Sequence, residues 1–138
     1  MIEFKPMNKE EHIQFISEKL KNERSFQESL LESQEIQKTF VEYILDKDEK
    51  IGTVWYSLVP DKQCLFLANI EIFENYRRKG YAKAALSLLE QKTSQEGLYA
   101  VVLHVFKDNK NALDLYKKLG YEILADLTKG YRMIKQVK

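Results

Sequence analysis

Between Cys64 and Leu119 the hydrophobic period changes three times, with only short joints between segments. "CLFLANIEIF" reads as a strand. From Gly80 the period becomes helical, with Ala82, Ala85, Leu86, Leu89 and Thr93 on one stripe at i, i+3, i+4, i+7 spacing. "LYAVVLHVF" returns to a strand and "NKNALDLYKKL" to a helix. A strand–helix–strand crossover places its two strands parallel and winds right-handed. This one unit therefore excludes an all-antiparallel sheet and a helical bundle.

The flanking segments add antiparallel pairs. "IEFK" near the start is a short strand. Asn8 to Lys38 is helical in pattern, with Ile13, Ile16 and Leu20 on one stripe and Leu30, Leu31 and Ile36 on a second. A break near Asn22 to Ser25 divides it into two helices. "TFVEYILDKDEKIGTVWYSLV" is a hairpin with "DKDEK" as its turn. "YEILADL" and "YRMIKQV" are closing strands. The expected fold is mixed α+β in three α-β-α layers, with a sheet of six to seven strands. That sheet is mostly antiparallel, with one parallel pair. With only five glycines and two prolines there is no linker, so residues 1–138 read as one domain.

Composition narrows the function classes. Hydrophobic residues at 44% and charged residues at 31% are ordinary for a soluble globular chain. A formal net charge of +1 argues against a generic nucleic-acid binder, so any anion site must be a local cluster. One cysteine, Cys64, supports neither an internal disulfide nor a cysteine-rich zinc site, and no metal is expected. The first residues have no apolar leader and no run approaches a membrane span, which points to a cytoplasmic protein without a membrane partner.

The local cluster is "NYRRKGYAKAALSLLEQ", where Arg77, Arg78 and Lys79 run into Gly80 at a helix start. A helix N-terminus is already a positive pole. Adding cations there is tolerable if an anion binds. The small Gly80 and Ala82 allow a ligand to approach the free backbone N–H groups, and Lys83 adds charge. The spacing matches neither the P-loop nor the dinucleotide glycine pattern. The alternative is a solvated basic helix start with no ligand.

"RRKGYA" resembles the Arg/Gln-x-x-Gly-x-Gly/Ala signature of the GNAT superfamily of acyl-CoA N-acyltransferases, as Arg77-x-x-Gly80-x-Ala82. "NKNALDLYKKLGY" is similar to a second run of that family, from Asn109 through Ala112, Leu115 and Tyr116 to Gly120 and Tyr121. The resemblance implies acetyl-CoA, or another form of acyl-coenzyme A, with its diphosphate on the amides of Arg78 to Lys83, so that Arg77, Arg78, Lys79, Gly80, Tyr81, Ala82 and Lys83 are the candidate cofactor-binding residues there. It implies that the pantetheine arm lies along Ile70 to Ile72, and that Asn109 contacts the cofactor. Asn109 also reads as a plain helix N-cap.

The same resemblance gives candidate chemistry. Amine acylation by a thioester needs a neutral amine, a donor to the carbonyl oxygen and a proton or hydrogen bond for the departing sulfur. Tyr116 is the candidate acid by its place in the motif, although its stripe with Ala112, Leu115 and Leu119 also suits simple packing. Glu71 is the candidate base, at a place where many relatives carry an acid. His104, which titrates near neutrality, is its rival. His12 and Cys64 have only structural readings. Glu23, Glu28, Glu32 and Glu35 are candidates to attract a cationic amine, or form a solvated helix face. Trp55 and Tyr56 line a pocket or the core. The reading is thus an N-acetyltransferase acting on a small-molecule or peptide primary amine by direct attack. The alternatives are a non-catalytic coenzyme A module and, less well, a nucleic-acid-binding domain. Dimers are common among relatives, but no interface is readable.

Overall fold

A computed structural model describes residues 2–22 and 38–138. The chain runs β1 (Ile2–Pro6), α1 (Lys9–Asn22), β2 (Lys38–Asp46), β3 (Glu49–Val59), β4 (Cys64–Ile72), α2 (Tyr81–Gln95), β5 (Ala100–Phe106), α3 (Lys110–Lys118), β6 (Glu122–Asp126) and β7 (Gly130–Gln136). One seven-stranded sheet has the order β1-β2-β3-β4-β5-β7-β6. Its one parallel pair is β4–β5, across the crossover that the changes of period predict. Every other neighbouring pair is antiparallel. The helical pattern beyond Asn22, with Leu30, Leu31, Ile36 and the expected break, lies outside the described residues.

Local chemistry sets the element ends. Asn8 and Glu11 form a reciprocal cap on α1: the Glu11 N–H donates to Asn8 Oδ1 at 2.8 Å, and the Asn8 N–H to Glu11 Oε1 at 3.0 Å. The β2–β3 turn is shorter than the five residues the sequence suggests. Asp46 pairs with Glu49 and only Lys47 and Asp48 turn, at φ 51° and 69°. Two successive left-handed residues give the twist that joins antiparallel strands. α2 stops where Gly97 takes φ +74°, as expected of a helix end.

Alternation along the strands sorts the layers. Val54, Tyr56 and Leu58 of β3 share one core cluster with Leu65, Leu67, Leu86, Leu89, Leu103 and Tyr116, so α2 and α3 cover that face. Trp55 points the other way and meets Phe15 of α1 edge-on at 6.1 Å. Trp55 and Tyr56, both fully buried, therefore belong to opposite sides of the sheet.

β4 breaks its own alternation. Trp55 is opposite Asn69 and Tyr56 is opposite Leu67, so Ala68 is an extra residue in the ladder. The bulge lets Leu65, Leu67, Ile70 and Ile72 all face the same core despite their change of parity. The β4–β5 ladder ends at the same place, with Leu67 opposite Leu103. Beyond it β4 stays with β3 as far as Ile72, and β5 stays with β7 as far as Phe106. The parallel pair thus splits into two arms. Each arm lies close against its outer neighbour at a glycine: a Cβ on Gly52 would meet the Glu71 carbonyl oxygen at 2.2 Å, and one on Gly130 would meet that of Val105 at 2.5 Å.

Candidate active site

The split encloses a cavity of about 130 Å³. β4 lines it with Ala68, Asn69 and Ile70, and β5 with Leu103 to Phe106. α3 contributes Asn109, Ala112 and Tyr116.

The basic loop stands ahead of α2. Gly80 caps the helix at φ +81° and, lacking a side chain, supplies no cap bond to the first-turn amides. The first helical bond runs from the Ala84 N–H to the Gly80 carbonyl at 3.1 Å, which leaves the N–H groups of Tyr81, Ala82 and Lys83 ahead of it. No acidic side chain lies in that turn. Around the amides the loop is tied down. Arg77 Nε donates to the Ile72 carbonyl at 2.8 Å. The Tyr76 hydroxyl donates to Glu49 at 2.6 Å and the Tyr81 hydroxyl to Asp46 at 2.5 Å, which fastens the loop to the β2–β3 turn. These bonds to carboxylates push both phenols above their ordinary pKa. Arg78 takes φ 66°, and Lys79 lies 5.9 Å from the Tyr76 ring. Of the predicted cations, Arg77 is therefore spent on loop geometry, while the other three, Arg78, Lys79 and Lys83, are exposed. Uncapped donors, a positive pole and exposed cations together fit a diphosphate.

Tyr116 is 8% exposed and lines the cavity. Its ring meets that of Tyr121 edge-on at 5.9 Å. Burial pushes its hydroxyl up to about pKa 12. Tyr121 is held in turn by Glu90 of α2 at 2.9 Å, and Glu90 also binds Lys135 of β7 at 3.0 Å. Asn109 is the N-cap of α3, its Oδ1 accepting from the Ala112 N–H at 3.2 Å, and it lines the cavity as well. Ile70 and Ile72 follow the bulge on the α2 side, half-buried against the core.

The two candidate bases sit on different arms. Glu71 is on the α1 side of β4, its side chain 42% exposed and 3.8 Å from Lys19. His104 is on β5 and packs edge-on to Phe66 at 5.0 Å. Its Nε2 accepts from Arg132 Nε at 2.9 Å, which assigns the neutral ring's proton to Nδ1. Burial, with the Arg132 charge second, pulls its pKa down to about 4. On the α1 side, Thr53 Oγ1, Trp55 Nε1 and Asn69 Oδ1 are buried without a hydrogen-bond partner among the described residues. Glu23, Glu28, Glu32 and Glu35 lie outside the described residues.

Sequence reasoning missed the Ala68 bulge, the Asp46 and Glu49 tethers, and Arg132. The parity change from Leu65/Leu67 to Ile70/Ile72 was a readable signal for the first. The others depend on strand register and left no local mark.

The sequence and fold have parallels. The Bacillus subtilis protein described as "Uncharacterized N-acetyltransferase YycN" is 35% identical over 80 residues, which are 56% of this chain and 51% of that protein. The chain spans about half the length of the curated relatives it matches. The solved structure of YycN, a putative acetyltransferase, superposes with a TM-score of 0.75 at 25% identity, over 94% of this chain and 97% of that one. The paia N-acetyltransferase of Thermoplasma acidophilum, solved in complex with coenzyme A, has a TM-score of 0.66 at 18% identity, over 94% and 80%. The model of the acetyltransferase (GNAT) family matches residues 4–121, a stretch holding the basic loop, the split and the Asn109–Tyr121 run. With fold, loop and family model in agreement, the chain belongs to the GNAT family.

Proposed function

We propose that the protein transfers an acetyl group from acetyl-CoA to a primary amine by direct attack, and that residues 1–138 form one such catalytic domain. The observation that carries this reading is the opening of one parallel strand pair between an uncapped helix N-terminus and a buried tyrosine. The coenzyme A held by the Thermoplasma protein supports it. The N–H groups of Tyr81, Ala82 and Lys83 would hold the diphosphate, with Arg78 and Lys79 adding charge. Arg77 keeps the loop in shape. The β4 edge at Ile70 and Ile72 would pair with the amides of the pantetheine arm, and Asn109 closes the far side. When bound, acetyl-CoA supplies an acyl thioester open to attack by a neutral amine.

Tyr116 offers an O–H inside the cavity. Its pKa of about 12 stands about 3.5 units above an ordinary thiol. Full proton transfer to a thiolate at that ordinary value would run uphill by about 5 kcal/mol. Tyr116 therefore acts as a hydrogen-bond donor to sulfur. Proton removal from the amine falls to Glu71, directly or through water. His104 commits Nε2 to an arginine and stays neutral to about pH 4, which makes it a poor proton acceptor at neutral pH. Cys64 is buried in a small cluster with Val59 and Val102, and burial pushes its thiol up, so it offers no nucleophile.

The test is thiol release from acetyl-CoA with a panel of amines. Amine-dependent release is expected. Coenzyme A binding without turnover on any amine would contradict the reading and favour a module that binds without catalysing. Among the described residues no helix is long and apolar enough to cross a membrane.

A further inference from the structure

Around the split, on the α1 side, charge is placed unevenly. Arg132 is half-buried on β7, directly opposite His104 in the ladder. Among the described residues its guanidinium has one partner, the neutral imidazole. A half-buried guanidinium is normally matched by a carboxylate, because burying an unpaired charge is costly. Its remaining N–H groups form a planar fork suited to a carboxylate. Across the split, the β4 arm carries Glu71, 3.8 Å from Lys19 of α1, on the same side of the sheet. Beside it, Asn69 lines the cavity, and its Oδ1 is buried with no partner among the described residues. One arm is thus supplied with acceptors and the other with a donor fork.

We infer that the acceptor is a small zwitterion, an amine that also bears a carboxylate, with its ammonium end drawn to Glu71 and Asn69 on one arm and its carboxylate received by Arg132 behind the other. This rests on the acetyl-transfer reading and adds the substrate's second group. Arg132 is a specificity residue: it touches no reacting atom and holds the end of the substrate that does not react. His104 orients it by taking Nε–H, which leaves the fork's terminal edge for the ligand.

The experiment compares thiol release with matched pairs: an amino acid, its carboxamide, and the amine lacking the carboxyl group. The expected result is a kcat/KM at least ten-fold higher for the free acid in the unmodified protein, expressed mainly in KM. Arg132→Gln should bring that ratio toward one, and Arg132→Lys should keep part of it. The carboxamide comparison needs no variant, so a folding defect in Arg132→Gln does not obscure it. Equal kcat/KM for acid and amide would overturn the inference and leave acetyl transfer standing. If no amine turns over, acetyl transfer itself fails. The anion subsite is then decided by calorimetry with an N-acetyl amino acid. Saturable binding that Arg132→Gln abolishes supports the subsite, and absence of binding to the unmodified protein overturns it.

Discussion

The loop ahead of α2 and the α1 side of the split both carry polar groups, but they satisfy them differently. In the loop the side chains are spent on the protein: two phenols on carboxylates and one guanidinium on a carbonyl. What remains open is backbone N–H and exposed cations. On the α1 side it is side-chain atoms that are left over. Among the described residues, Thr53, Trp55 and Asn69 each bury an atom without a partner, and Arg132 rests on a neutral ring. A site made of main-chain donors suits a ligand shared by many relatives. A site made of side chains from separate strands can change with each substrate.

If that division is right, removing the hydroxyl proposed to meet the departing sulfur should have the largest effect. Tyr116→Phe keeps the packing against Tyr121 and removes the hydroxyl. Turnover should fall by about 100-fold with little change in the KM for either substrate. Unchanged kcat in steady-state thiol release would remove Tyr116 from the chemistry and make it a core residue only.

A smaller effect separates His104 as a wall of the α1 side from His104 as a base. Its folded pKa, about 4, lies below the unfolded value near 6.5. Above pH 6.5 both states are neutral there and its contribution is fully present. As pH falls below 6.5 the unfolded chain binds the proton first, and stability is lost until the folded pKa is reached. Urea unfolding should show a loss of about 2 kcal/mol from this group between pH 7 and pH 5, absent in His104→Gln. The same acid sensitivity in both proteins would contradict a neutral, arginine-bound imidazole.

The loop should show the smallest effect, because its amides remain when its cations go. Replacing Arg78 and Lys79 by alanine should weaken coenzyme A binding by about ten-fold while changing stability by less than about 0.5 kcal/mol. Undiminished affinity by calorimetry would detach the basic run from ligand binding.

The contrast also explains what could be read before folding. The loop, its glycine and the α2 stripe lie within one stretch of chain, and their geometry follows from local rules. The Asn109 cap and the Tyr116 stripe were legible for the same reason. The α1 side was not, because Arg132 reaches His104 only through β5–β7 register, and Glu71 and His104 are parted by a bulge one residue long. Even the bulge had a trace, in apolar positions whose parity shifts within "CLFLANIEIF". The acceptor-side glutamates after Asn22 lie outside the described residues.

The central claim, that bare amides at the start of α2 hold the diphosphate of coenzyme A beside the β4–β5 split, is tested most directly by titrating coenzyme A into ¹⁵N-labelled protein. The amide resonances of Tyr81, Ala82 and Lys83 should move most, and those of Ile70 and Ile72 should follow along the opened edge. Saturable binding that leaves those resonances in place, or no binding, would contradict it.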